Sequence, residues 1–303
     1  MKKTIFPLLL IVTLAAHGQL LKVESIEHLN IQQQENLTTQ AVAISPRGDY
    51  VLLSTDTKQG LVKWDLATST ASTLTTDEGA GSDVRISDDG QQIVYGEVTY
   101  KDKRRHQAVK AIDLTSGKKQ TLVKATRHLE GFAVNQETAV TVTNGKLKTH
   151  ALKKGANLSS MCPVLTRHHL KLYITRDGVT TMLAPNGADK RYIWGSLSPD
   201  GNRVLYYVSE QGTFVCDVDG THVIAMGDLT APRWWDDNII VGMDETDDEY
   251  SIVASKIVAR TLDGQEQVLT IDDVIATYPL PSLQSGKIAF STPDGKIYLI
   301  NVK

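Results

Sequence analysis

One short polar phrase recurs along this chain between apolar runs: Ser45-Pro46-Arg47-Gly48, Ser87-Asp88-Asp89-Gly90 and Ser198-Pro199-Asp200-Gly201. Each copy is followed by a run suited to a pleated strand: Tyr50-Val51-Leu52-Leu53, Ile93-Val94-Tyr95 or Val204-Leu205-Tyr206-Tyr207. Ser, Pro, Asp and Gly each favour a tight turn, by side-chain hydrogen bonding, a preset φ or tolerance of positive φ. β-branched and aromatic residues favour the strands on either side. A strand-turn-strand unit repeated at blade-like spacing predicts a β-propeller. Helical periodicity is nearly absent, so the chain is predicted to be all-β, a single propeller of four-stranded antiparallel blades.

The repeats can be walked in more detail. The first copy predicts strands at 41–44, 50–54, 61–66 and 71–74, and the second at 83–86, 92–98, 108–114 and 119–123. Trp64-Asp65-Leu66 closes the third strand of one copy as Ile112-Asp113-Leu114 closes that of the other. Aligning on the turn gives Ser45, Ser87, Asn135, Thr166, Ser198, Trp235 and Gln284. Second strands counted separately also number seven: 51–54, 93–98, 139–143, 170–175, 204–208, 239–243 and 288–291. Seven blades are predicted, and six with one irregular blade fits the same residues, because the third and fourth units are short. The last unit supplies three strands, and residues 20–26 are predicted to complete that blade and close the ring.

Residues 1–18 are predicted to be a cleaved secretory leader, and residues 19–303 the propeller. Lys2 and Lys3 form the charged start, 5–16 the apolar run, and Ala16-His17-Gly18 the small-residue cleavage site. The apolar run is shorter than the roughly 20 residues that cross a bilayer. A periplasmic or extracellular location and no membrane insertion are expected. In that compartment Cys162 and Cys216 have two open fates, a disulfide or buried free thiols. The net charge of −3 gives no reason to expect nucleic-acid binding.

The stretch Leu197-Ser198-Pro199-Asp200-Gly201-Asn202-Arg203-Val204-Leu205-Tyr206, with Lys287-Ile288-Ala289-Phe290 through Lys296-Ile297-Tyr298-Leu299-Ile300, resembles the WD40-like PD40 repeat. That repeat builds TolB-type propellers and the propeller domains of the dipeptidyl-peptidase and prolyl-oligopeptidase families. The resemblance implies a propeller over the whole mature chain. It implies neither the extra N-terminal α/β domain of TolB-type proteins nor the hydrolase domain of the peptidases, for which this chain leaves no room.

No nucleophile elbow, metalloprotease helix, Cys-x-x-Cys pair, P-loop or EF-hand pattern occurs. No catalytic residue, cofactor or metal is therefore predicted, and function is expected at the surface. Two connections between second and third strands are long and charged, and both are expected as loops on one face. Residues 97–106 carry Lys101, Lys103, Arg104 and Arg105; residues 244–250 carry Asp244, Glu245, Asp247 and Asp248. They form the candidate partner surface, read by charge complementarity.

Counting two residues back from each turn places Ala43, Arg85, Ala133, Val164, Ser196, Arg233 and Ser282 along the channel. Arg85 and Arg233 are candidate ligands for a carboxylate or phosphate, unless acids such as Asp83 or Asp236 pair with them. Trp194, Trp234 and Trp235 are suited either to stacking on a sugar or to packing between blades. His168 and His169, as neighbours on a strand, are expected to point apart and not to share a metal. The leading functional reading is a monomeric binding module for a protein or peptide. Two alternatives stand beside it: a carbohydrate-active or hydrolytic enzyme at the channel mouth, and a sensor of small anionic ligands.

Overall fold

Serine-led turns and β-branched runs produce strands throughout, and the computed structural model contains no other regular element among its described residues. Those residues are 19–31, 38–135, 137–156, 158, 163–176, 178–271 and 273–303. The predicted leader and Cys162 lie outside them.

Seven antiparallel sheets follow one another along the chain. Blade 1 comprises Thr39–Ile44, Tyr50–Thr55, Leu61–Asp65 and Thr70–Thr75. Blade 2 comprises Val84–Ile86, Gln92–Lys101, Arg104–Asp113 and Lys119–Thr126. Blade 3 (Leu129–Asn135, Thr138–Thr143, Lys146–Ala151) and blade 4 (Val164–His168, Lys171–Arg176, Val179–Leu183) have three strands each among the described residues. Blade 5 comprises Tyr192–Leu197, Arg203–Val208, Gly212–Asp217 and Ile224–Ala225. Blade 6 comprises Thr230–Trp234, Ile239–Asp247, Ile252–Thr261 and Glu266–Val268. Blade 7 comprises Thr277–Ser282, Lys287–Ser291, Ile297–Val302 and the N-terminal strand Val23–Leu29.

The first strand of each blade packs against that of the next, and the first strand of blade 7 returns to that of blade 1. The result is a closed ring of seven blades around a channel. Apolar side chains fill the seams between blades. Tyr50, Leu52, Ile93 and Tyr95 pack between blades 1 and 2, and Leu205, Trp234, Ile240 and Val258 between blades 5 and 6.

The N-terminal strand pairs antiparallel with Ile297–Val302, from Val23 opposite Val302 to Leu29 opposite Ile297. It begins three residues later than expected. Leu21, which the sequence suggested for the strand, is instead buried in the seam between blades 6 and 7.

The recurrent phrase works through its side chains. Ser87 Oγ donates to Asp89 Oδ1 at 2.6 Å and accepts the Gln92 N–H at 2.9 Å, while Asp89 Oδ1 accepts the Gln91 N–H at 3.0 Å. Ser198, Asp200, Asn202 and Arg203 repeat the pattern at matching distances. The glycine that follows has a left-handed φ, 73° at Gly90 and 75° at Gly201, which a Cβ would penalise. In blade 1, where Arg47 replaces the acid, Asp49 takes the serine hydroxyl instead.

Two turn positions fall elsewhere than expected. In blade 4 the chain reverses at His169 and Leu170, both with positive φ, so Thr166 lies inside the strand. In blade 7 Ser282 pairs with Lys287 and is the turn residue, so Gln284 is two residues too late. Neither site keeps the Ser-x-Asp-Gly chemistry seen at Ser87 and Ser198.

These turns make a pH prediction. Asp200 is held down to about 2 by the Ser198 hydroxyl and the Asn202 N–H. At Asp89 burial pushes upward, but Lys153, Ser87 and the Gln91 N–H outweigh it and hold the carboxyl at about 2. Both lie below the ordinary aspartate value of about 3.9. Their contribution is therefore complete above that value and lost as pH falls through the folded value. Asp89→Asn is expected to lower Tm near neutral pH, with the gap from wild type closing between about pH 4 and pH 2. Thermal melts across that range check it, and a pH-independent gap would refute it.

Candidate functional site

The two charged segments are not loops. Strands Gln92–Lys101 and Arg104–Asp113 stay paired to their ends, with Lys101 opposite Arg104. Asp102 and Lys103 both have positive φ, the requirement of a two-residue hairpin turn. Ile239–Asp247 and Ile252–Thr261 likewise pair out to Asp247 opposite Ile252. Asp248 Oδ1 caps that turn by accepting the N–H groups of Tyr250 and Ser251. Thr99 and Tyr100 carry the first pairing beyond buried Val98 despite the charges beside them, because a ribbon exposed on both faces tolerates charge. Both hairpins join second to third strands, so they stand on one face of the ring. Blades 2 and 6 are three steps apart through blades 1 and 7, nearly opposite across the channel.

The base of the basic hairpin is anchored. Lys110 Nζ lies 2.8 Å from Glu97 and 2.9 Å from Asp77, and the Tyr95 hydroxyl donates to Asp77 at 2.8 Å. Burial pushes the Tyr95 hydroxyl up to about 12. Burial opposes the Lys110 charge, but the hydrogen bonds it donates to Glu97 and Asp77 prevail and raise its pKa. Beyond this base, Lys101, Lys103, Arg104 and Arg105 are exposed and form no ion pair among the described residues. On the other hairpin Asp244, Asp247 and Asp248 are exposed and likewise unpaired, while half-buried Glu245 accepts the Thr230 hydroxyl at 2.7 Å.

Sequence reasoning passed over the aromatic residues on this face. Tyr100 near one hairpin tip is 62% exposed, and Tyr250 at the other is 93% exposed. Tyr278 at the start of the blade 7 inner strand is also exposed. For Tyr100 and Tyr250 the only signal in the sequence was a large aromatic residue inside a charged segment.

In the channel, Arg85 and Arg233 occupy the same register of their inner strands, opposite Val94 and Val241. Arg85 Nη1 lies 2.6 Å from Asp83 Oδ1, and its guanidinium sits 6.0 Å from the centre of the Phe132 ring. Arg233 does not pair with Asp236, whose carboxylate accepts the N–H groups of Asn238 and Ile239. Its hydrogen bond goes to the Pro232 carbonyl, at 3.1 Å. Burial lowers Arg233 to about 10, the Arg85 charge adds to this, and Asp83 opposes it. The ring thus sets two arginines almost 150 residues apart in sequence at the same register of its inner strands, where the charge of Arg85 acts on Arg233.

The register shift in blade 7 puts Leu280, not Ser282, at the corresponding position; Leu280 is opposite Ala289 and packed in the core. Val164 is also fully buried. Trp234 packs between blades 5 and 6 with its indole N–H toward the Ser196 carbonyl, so it has no open face for a ligand. Trp194 is half-buried and stands edge-on to Tyr207 at 5.2 Å. Its positive φ falls at a β-bulge that re-aims the side chain.

His168 and His169 do not point apart: their rings stack at 3.9 Å, because His169 lies in the turn and not on the strand. Among the described residues no three His, Cys, Asp or Glu side chains converge as metal ligands. Cys216 is a buried free thiol, and burial pushes its pKa up to about 12, so it stays protonated and inert. A cavity of about 520 Å³ lies between blades 2 and 3, lined by Gln92, Asp113, Lys118, Gln120 and Lys153. It opens on the face that carries the serine turns, away from the hairpins.

The architecture can be compared with known proteins. No protein-family model matches the chain, and no curated protein matches its sequence. Among solved structures it is similar to a chain of the mitotic checkpoint complex, with 13% identity, a TM-score of 0.59 and coverage of 99% of this chain and 98% of that one. It is similar to U3-55K with 9% identity and a TM-score of 0.63, over 93% of this chain and 99% of that one. The fold is a WD40-like seven-bladed β-propeller. An oligogalacturonate lyase from Vibrio parahaemolyticus superposes less well, at 10% identity and a TM-score of 0.48, over 92% of this chain and 98% of that one. At these identities the likeness concerns fold alone.

Proposed function

We propose that this propeller is a periplasmic or secreted binding module that takes a protein or peptide on its hairpin-bearing face. One observation carries the reading: two anchored hairpins of opposite charge rise from the same face, each with an exposed tyrosine near its tip. Tyrosine and arginine are the residues that dominate protein interfaces, and unpaired charges of fixed sign steer a complementary partner. The TolB-type resemblance of the repeats and the predicted leader support an envelope location. One structural neighbour is a chain of the mitotic checkpoint complex, which fits a protein partner.

The test is capture from an envelope extract by immobilised protein. Replacing Lys101, Lys103, Arg104 and Arg105 together by Glu is expected to abolish capture. Added salt should weaken wild-type capture, as screening shortens the reach of surface charge. Tyr250→Ala is expected to cost about 2 kcal/mol of affinity if the tyrosine anchors the contact. Undiminished capture by a protein with both hairpins neutralised would remove this face from consideration.

A further inference from the structure

The channel carries a charge that the protein leaves uncompensated. Arg85 is satisfied by Asp83 and by the carbonyl of Val84. Arg233 stands at the same register in blade 6, half-buried, and its hydrogen bond goes to a backbone carbonyl of its own strand. Among the described residues no carboxylate pairs with it. Asp83, committed to Arg85, is the acid that acts on it through space, and Arg85 repels it. A half-buried guanidinium with no counter-charge is unfavourable unless something offsets it.

We propose that the channel is a carboxylate-binding site, with Arg233 as its principal ligand and Arg85 as a supporting donor. The charge balance selects the class. Two guanidiniums and one carboxylate leave one positive charge, which a single carboxylate neutralises. A phosphate dianion would reverse the sign and crowd Asp83, and a cation would be repelled by both arginines. The guanidinium fork also matches the two coplanar oxygens of a carboxylate. Entry is open on one side, since the Arg85 side chain is 47% exposed. The site is separate from the hairpins, so its fate does not depend on the partner reading above.

Sodium acetate is the probe, compared with sodium chloride and inorganic phosphate at matched ionic strength. Acetate is expected to raise Tm in a saturable way beyond chloride, and phosphate to do no more than chloride. Titration should show acetate bound about ten- to a hundredfold more weakly by Arg233→Gln, the loss expected when a charged hydrogen-bonding pair is removed. Arg233→Met in chloride alone should melt at or above the wild-type temperature, because an uncompensated charge has gone. The variant with the basic hairpin reversed should still bind acetate. The site is refuted if acetate and chloride act alike on the wild-type protein, if phosphate surpasses acetate, or if Arg233→Gln keeps the acetate response. A large drop in Tm for Arg233→Met would assign Arg233 a structural role instead.

Discussion

A protein shortened by residues 19–29 is expected to lose its cooperative thermal transition and to collect in aggregates. Those residues supply the outer strand of blade 7, which pairs with Ile297–Val302 along its whole length. They also clamp the seam with blade 6. Gln267 accepts the Leu21 N–H at 2.9 Å and donates to the Leu21 carbonyl at 2.7 Å, while Lys22 and Lys303 exchange backbone hydrogen bonds. Removing them bares a strand edge whose side chains include Ile300 and Leu299, both buried in the intact ring. An apolar unpaired edge is a template for aggregation. Each lost hydrogen bond contributes about 1 kcal/mol and each buried aliphatic side chain about 2, against a total stability of about 5–15. Circular dichroism and a thermal melt decide the matter. A shortened protein with wild-type melting would show that the ring closes without this strand.

Phe290→Ala is expected to lower stability by about 3–5 kcal/mol, and Tm by about 5–15 °C. Phe290 is fully buried in the seam between blades 6 and 7, and its ring lies parallel to that of Tyr298 at 5.1 Å. The seam is lined by strands from the two ends of the chain as well as blade 6, so a cavity there cannot collapse without loosening the closure. Val179→Ala serves as the control. Its side chain is 63% exposed and its truncation should change stability by less than about 0.5 kcal/mol. Equal effects from the two substitutions would show that the seam does not limit stability.

Most of the fold was legible in short stretches. All seven second strands appear where their β-branched runs lie, and the turns at Ser45, Ser87 and Ser198 appear where their hydroxyl and carboxylate groups can bind the local backbone. The turns at His169-Leu170 and Ser282 were misplaced because they use backbone conformation with little of that side-chain signal. The charged hairpins were read as loops because charge outweighed Thr99 and Tyr100. In the structure, cross-strand pairing outweighs charge.

The candidate sites were less legible. Arg85 and Arg233 could be singled out by counting along inner strands, but which of them pairs with a neighbouring acid could not. Asp83 lies two residues from Arg85 and pairs with it; Asp236 lies three residues from Arg233 and spends itself on the turn. Trp234, one residue further on, points into the core because successive strand residues face opposite sides.

The sequence by itself determined the blade: strand, turn and strand are encoded within about ten residues, by propensities that act over that range. Tertiary structure alone decided what the blades do together. Ring closure sets blade 2 nearly opposite blade 6, raises their two hairpins on one face, and lets the charge of Arg85 reach Arg233. Those relations depend on how seven blades pack around an axis, and no local pattern of residues carries that information.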